Sequence, residues 1–143
     1  MTLAFGPVSS RRLGRSLGIN NIPPKSCSYS CLYCQVRATH RQLIEPRELY
    51  APEDIYQEIS EQLRKVHSSN EPIDYLTFVL DGEPTLDINL GRAIDLLRPY
   101  NIPIAVISNA SLLWHKAVRA AIGKADWVSV QVDSIAEGIW KQV

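Results

Sequence analysis

Residues 75–80 form a nearly continuous apolar run rich in β-formers, the composition of a strand covered on both faces. A shorter apolar run recurs at 104–107 and an alternating polar–apolar stretch at 127–132, and the segments between them have helical period. Pro52 opens a first helix with Glu53 and Asp54 in its first turn. Ile55, Ile59, Leu63 and Val66 share one face, and Arg64, Lys65 and His67 close the end where the helix dipole favours cations. Asp87 caps a second helix carrying Leu90, Ala93, Ile94 and Leu97, which stops before Pro99. Ser111 caps a third through Leu113, Val118 and Ile122, with Gly123 at its C′ position. Residues 16–20 make a short first strand ended by Asn21, Pro23 and Pro24; residues 1–15 read as irregular, and residues 135–143 begin another helix. Such alternation implies right-handed βαβ units, hence an α/β fold of parallel (β/α) repeats. An open doubly wound sheet and a barrel-like one fit the pattern equally.

A chain of 143 residues, 45% of them hydrophobic, is one domain's worth, so residues 1–143 are read as a single unit. No apolar run approaches the roughly 20 residues a membrane helix needs, and none at the N-terminus resembles a secretory signal, so a cytoplasmic protein with no membrane partner is expected. The net charge is zero, yet it is sorted along the chain. Arg11, Arg12, Arg15, Lys25, Arg37 and Arg41 all precede the first acid, Glu45, whereas residues 51–100 hold ten acids against four bases. A basic arm of this kind suits an anionic partner.

All three cysteines, Cys27, Cys31 and Cys34, fall within eight residues, in a loop of about 23–45 that has neither helix nor strand period. Three thiols leave one over from any closed disulfide set, and a loop this long in a compact domain is usually functional. The spacing Cys-x3-Cys-x2-Cys therefore reads as a metal site. Thiolates ligate iron–sulfur clusters and zinc alike. Three ligands leave one iron of a 4Fe–4S cluster open; adding His40 would complete a Cys3His zinc site in a structural or RNA-binding module. The remaining unusual polar residues also follow strands: Asp81, Gly82, Glu83 and Pro84 after the second, Ser108 and Asn109 after the third, Asp133 after the fourth. Strand ends are where parallel α/β sheets carry their working residues. On the fourth strand Ser129, Gln131 and Asp133 alternate with Val128, Val130 and Val132, separating a polar from an apolar face. His40, His67 and His115 are scattered, and no arrangement for ordinary hydrolysis is evident.

The cysteine spacing, with Tyr33 just before the last cysteine, resembles the signature of the radical S-adenosylmethionine superfamily. Residues 6–20 and the turn Asp81, Gly82, Glu83, Pro84, Thr85 and Leu86 resemble the branch of Fe–S oxidoreductases related to the wybutosine-synthesis radical enzymes, and the likeness covers nearly the whole chain. It implies the N-terminal part of a partial TIM-like barrel, with the last units of the sheet lacking. It also implies that Cys27, Cys31 and Cys34 hold three irons of a 4Fe–4S cluster whose fourth iron is chelated by S-adenosylmethionine. Tyr33 would bring its backbone to the adenine, and Gly82 and Glu83 would meet the methionine amino group. Ser108 and Asn109 would contact ribose or carboxylate, and Ser129, Gln131 and Asp133 the cofactor's hydroxyls. Asp81 stands where the family has a glycine. The implied activity is reductive cleavage to a 5′-deoxyadenosyl radical, driven by a one-electron reductant of flavodoxin or ferredoxin type, with a transfer-RNA base as substrate. A chain lacking the last barrel units is also compatible with a cluster-binding fragment that does no catalysis.

Overall fold

The computed structural model describes residues 2–34, 38–69, 71–79 and 81–140. Arg37, Leu80 and residues 141–143, each given a place above, lie outside them. The chain runs β1 (Ala4–Ser10), β2 (Gly14–Ile19), β3 (Ser26–Cys27), β4 (Arg41–Gln42), α1 (Pro52–Ser68), β5 (Tyr75–Phe78), α2 (Leu90–Leu97), β6 (Ile104–Ser108), α3 (Lys116–Ile122), β7 (Trp127–Val130) and α4 (Glu137–Trp140). Short 3₁₀ turns cover Pro84–Leu86 and Arg98–Tyr100.

One five-stranded sheet has the order β1-β2-β5-β6-β7; β1 is antiparallel to β2 and every other pairing is parallel. From β2 onward the order advances in one direction, and right-handed crossovers advancing one way put every connecting helix on the same face. Accordingly α1 packs on α2, and α2 on α3. The doubly wound alternative, which needs a reversal of strand order, does not describe these strands. The result is a mostly parallel α/β sheet of the kind expected from part of a (β/α) fold.

Register explains the core. Leu17, Leu76 and Ile104 form one row across β2, β5 and β6, and Ile19, Phe78 and Val106 form the next. All six are fully buried, against Ile55 and Ile59 of α1 and Leu90, Ile94 and Leu97 of α2. Each such side chain contributes about 1.5–3 kcal/mol by leaving water. The row continues to Val128 on β7, but β7 is the outer strand of the described sheet, so Val128, Val130 and Val132 are exposed.

Four expectations change. Residues 1–15 are not irregular: Ala4–Ser10 pairs with Gly14–Ile19 as a hairpin, with the register shifting between Phe5 and Val8. Gly14 closes its turn at φ +61, where an added Cβ would fall 2.3 Å from Asp74 Oδ2. The third helix starts at Lys116 rather than after Ser111, because residues 111–114 form turns in which Leu113 N–H bonds to Ala110 O and His115 N–H to Leu112 O. Gly123 ends it in right-handed conformation, φ −63, so the left-handed cap is not used there. Likewise Asp87 accepts from the main-chain N–H of Asn89, one residue ahead of α2, while Asn89 holds the cap position.

The hairpin's position also relocates part of the basic arm. Its turn, with Arg11 and Arg12, sits beside the start of β2, and β2 spans roughly 17 Å at 3.3–3.4 Å per residue before reaching the end that faces the cysteines. Arg15 is engaged locally: its guanidinium pairs with Glu71, and its main-chain N–H bonds to Asp74 at 2.7 Å. Lys25 and Arg41 alone of the described basic arm stay with the cysteine loop, where Lys25 O accepts the N–H of Arg41 at 3.1 Å.

Candidate active site

The cysteine loop is sewn to the strand ends by main-chain bonds. Lys25 N–H reaches Asp81 O at 2.7 Å, Glu83 N–H reaches Ser26 O at 3.2 Å, and β4 pairs with β3 beside them. Gly82 makes this approach possible, since a Cβ there would fall 1.7 Å from Ser26 O. The glycine that the sequence assigned to cofactor approach is thus filled on that side by the protein's own loop. Lys25, which lines the cavity, adopts φ +59, an uncommon left-handed conformation for a side chain other than glycine.

Glu83 is the buried hub, 1% exposed. One carboxylate oxygen accepts from Thr85 N–H (3.1 Å), Thr85 Oγ1 (2.5 Å) and Ser108 Oγ (2.8 Å); the other accepts from the main-chain N–H of Asn109 (2.7 Å). A buried carboxylate needs such partners. Three donors within the protein converge on Oε1 and one reaches Oε2, leaving Oε2 as the oxygen with capacity for a further donor.

Across the opening, Tyr33 ties the cysteine loop to the end of β7. Gln131 Nε2 donates to Tyr33 Oη at 2.7 Å and to Asp133 Oδ1 at 2.9 Å. Hydrogen bonding to Asp133 pushes the Tyr33 phenol up, and the same contact, with Gln131, holds the Asp133 carboxyl down. Ser129 lies one register row further in, opposite Ile107 of β6.

These pieces enclose a cavity of about 700 Å³ lined by Cys27, Cys31, Tyr33, Cys34, Gly82, Glu83, Ser108, Asn109 and Gln131, among others. Nine of the predicted site residues therefore line one cavity; Ser129 is outside the lining and Asp133 joins through Gln131. Lys25, Thr39, Val79 and Ile107 also line it and were not singled out from sequence. Lys25 carried no signal beyond its basic charge, and Thr39 none, because its role is to bond Tyr29 O at 2.6 Å across the loop.

The three thiols are free and half-buried, and burial pushes the Cys27 thiol above its usual 9.0, opposed by a main-chain N–H bond from Tyr29. Among the described residues no three His, Cys, Asp or Glu side chains converge as a single ion requires. His40 Nε2 faces Lys25 Nζ at 3.4 Å, and His40 is not among the residues lining the cavity that the three cysteines share. A cluster makes a different demand: each thiolate binds a separate iron, so the sulfurs must line one cavity without meeting at a point. Cys27, Cys31 and Cys34 meet that demand.

Fold and rim together define a mostly parallel α/β protein whose strand-end residues and three thiols surround one cavity. The family model described as the Radical SAM superfamily matches residues 21–143, and the chain belongs to that superfamily. Among curated proteins it is 57% identical over its whole length to a UPF0026 protein of Methanocaldococcus jannaschii, covering 44% of that protein. It is 33% identical over 94% of its length to a UPF0026 protein of Helicobacter pylori, covering 44%, and 35% identical over 95% to one of Synechocystis, covering 48%. The chain thus spans less than half the length of these relatives. No solved structure matches it. No helix among the described residues is long and apolar enough to cross a membrane.

Proposed function

We propose that this chain forms the cluster- and cofactor-binding part of a radical S-adenosylmethionine enzyme, an Fe–S oxidoreductase. The observation that carries the reading is the single cavity shared by Cys27, Cys31 and Cys34 with Glu83, Ser108 and Gln131. With a reduced 4Fe–4S cluster and S-adenosylmethionine bound, the chemistry supplied is cleavage of a sulfonium carbon–sulfur bond to methionine and a 5′-deoxyadenosyl radical.

The chain's own residues have separable tasks in this reading. The three thiolates hold the irons. Glu83 Oε2 has the remaining acceptor capacity that a methionine ammonium needs. Gln131 and Asp133, with the Ser129 side of β7, offer polar partners to ribose hydroxyls, and Tyr33 covers the cavity from the cysteine loop. Burial of the Glu83 network keeps water from that end of the cavity. The electron comes from a one-electron reductant of flavodoxin or ferredoxin type. As substrate we favour a transfer-RNA base, on the resemblance to the wybutosine-related branch, with Lys25 in the cavity lining and Arg41 bonded beside it as the cations to meet its phosphates.

Anaerobic reconstitution tests the reading: about four irons per chain, and 5′-deoxyadenosine formed under reducing conditions, are expected. Cys27→Ala or Cys34→Ala should abolish both. A cluster unaltered in these variants overturns the ligand assignment, and a colourless chain holding one zinc overturns the cluster.

A further inference from the structure

Asn109 follows β6, and its side-chain amide is held in one orientation. Its Oδ1 accepts the main-chain N–H of Ser111 at 3.0 Å, which only the oxygen end of an amide can do. The NH2 end is thereby turned to the cysteine loop, where Nδ2 lies 2.9 Å from Ser28 Oγ and 3.5 Å from Cys27 Sγ. Two protons thus meet two acceptors. Ser28 Oγ, accepting from Asn109, has its own proton free for Ser111 Oγ at 2.5 Å, and Glu83 fixes the Asn109 main chain. A flipped amide would set N–H against the Ser111 N–H and an oxygen against the sulfur, losing both of those bonds even though the Ser28 hydroxyl could turn to donate to it.

The bond to Ser28 would suffice to dock the loop. The second proton has a different consequence, because it reaches the sulfur of a residue read as an iron ligand. A donor to a thiolate stabilises it more as negative charge on the sulfur grows, and hydrogen bonds to ligand sulfurs are one of the levers on cluster potential.

We propose that Asn109 is a positioning residue for Cys27 whose N–H···S hydrogen bond raises the reduction potential of the cluster, rather than a direct contact to ribose or carboxylate. This rests on the reading of Cys27, Cys31 and Cys34 as cluster ligands. The effect runs through the sulfur: the amide favours the reduced state, and the reductant needs less driving force to populate it.

The test compares anaerobically reconstituted wild type, Asn109→Ala and Asn109→Asp by redox titration followed with electron paramagnetic resonance. Asn109→Ala removes the donor; Asn109→Asp keeps an oxygen for the Ser111 N–H and turns a carboxylate oxygen to the sulfur. At fixed solution potential the reduced-to-oxidised ratio should fall about three- to tenfold in the alanine variant, where tenfold corresponds to about 59 mV for one electron. It should fall further in the aspartate variant. Equal iron content with equal midpoint potentials in all three overturns the role of Asn109 and leaves the cluster reading standing. A wild type that takes up no iron overturns the cluster reading and the inference with it. Should Asn109→Ala load poorly, wild type labelled with ¹⁵N at the asparagine side-chain amide supplies the decisive measurement. A ¹⁵N coupling to the reduced cluster is expected in pulsed resonance, and its absence overturns the proposal.

Discussion

The Glu83 carboxylate accepts the main-chain N–H of Asn109 at 2.7 Å, locking the turn after β5 to the end of β6. Ser108 Oγ and both donors of Thr85 bind the other oxygen, so one buried side chain sets the spacing of two rim segments. Glu83→Ala would leave these donors buried without their acceptor. A loss of about 2–4 kcal/mol in stability is expected from that number of orphaned groups, measured by urea unfolding. Glu83→Gln, which keeps one oxygen, should cost less. Equal stability of Glu83→Ala and wild type would contradict the hub.

Gly82 has a separate role. Its Cβ position is occupied by Ser26 O, a main-chain atom that no side-chain rotation can move. Gly82→Ala should therefore push the cysteine loop off the end of β5 while sparing the rows of Leu76, Ile104 and Phe78 beneath it. The expected outcome is near-native far-ultraviolet dichroism with at most half the iron uptake of wild type on reconstitution. Normal iron uptake would show that the loop docks without this close approach.

Asp87 gives a pH signature. Burial, with some help from the charge of Glu48, pushes its carboxyl from 3.8 up to about 6, against the opposing bonds from Asn89 N–H and Asn21 Nδ2. The folded state therefore holds a proton that the unfolded chain has already released between these two values. Stability from this group is fully present below about pH 4 and is lost as pH rises through about 6, a difference of roughly 3 kcal/mol at most. Asp87→Asn can still accept the Asn89 N–H through its amide oxygen and does not titrate. The wild-type minus variant stability should fall across pH 4–6, and a flat difference would refute the shift.

The helix-and-strand alternation was legible because periods of 3.6 and 2 survive in residues that face the core. Ile55, Ile59, Leu76, Ile94 and Val106 all sit where their spacing put them. The β1–β2 hairpin was not legible: Gly6 and Pro7 interrupt an edge strand that buries little, and its pairing depends on contact with Ile19 and Gly18 rather than on its own pattern. At the site, the cysteines, Glu83 and Asn109 were visible as residue types at strand ends. Their partners were not. Glu83 meeting Ser108, and Asn109 meeting Cys27 82 positions away, follow from which strands are neighbours, and no local spacing encodes that.

The split of the basic arm lets the proposed transfer-RNA substrate be tested against two separate surfaces. Arg11 and Arg12 lie at the hairpin turn, by the opposite end of β2 from the cavity, whereas Lys25 lines the cavity and Arg41 flanks the cysteine loop. Under the proposed function, a transfer-RNA base entering the cavity would bring its neighbouring phosphates near Lys25 and Arg41. Lys25→Gln with Arg41→Gln should weaken transfer-RNA binding and flatten its dependence on salt, by about 0.7–0.9 in the logarithmic slope for each phosphate no longer neutralised. Arg11→Ala with Arg12→Ala should leave that slope and the RNA-free cleavage of S-adenosylmethionine within about twofold of wild type, the range of a surface change remote from both. Filter-binding titrations between 50 and 200 mM salt, about the range over which such slopes are read, distinguish the two pairs. If the hairpin pair carries the salt dependence and the rim pair none, the RNA docks on the far end and the cavity does not receive its base.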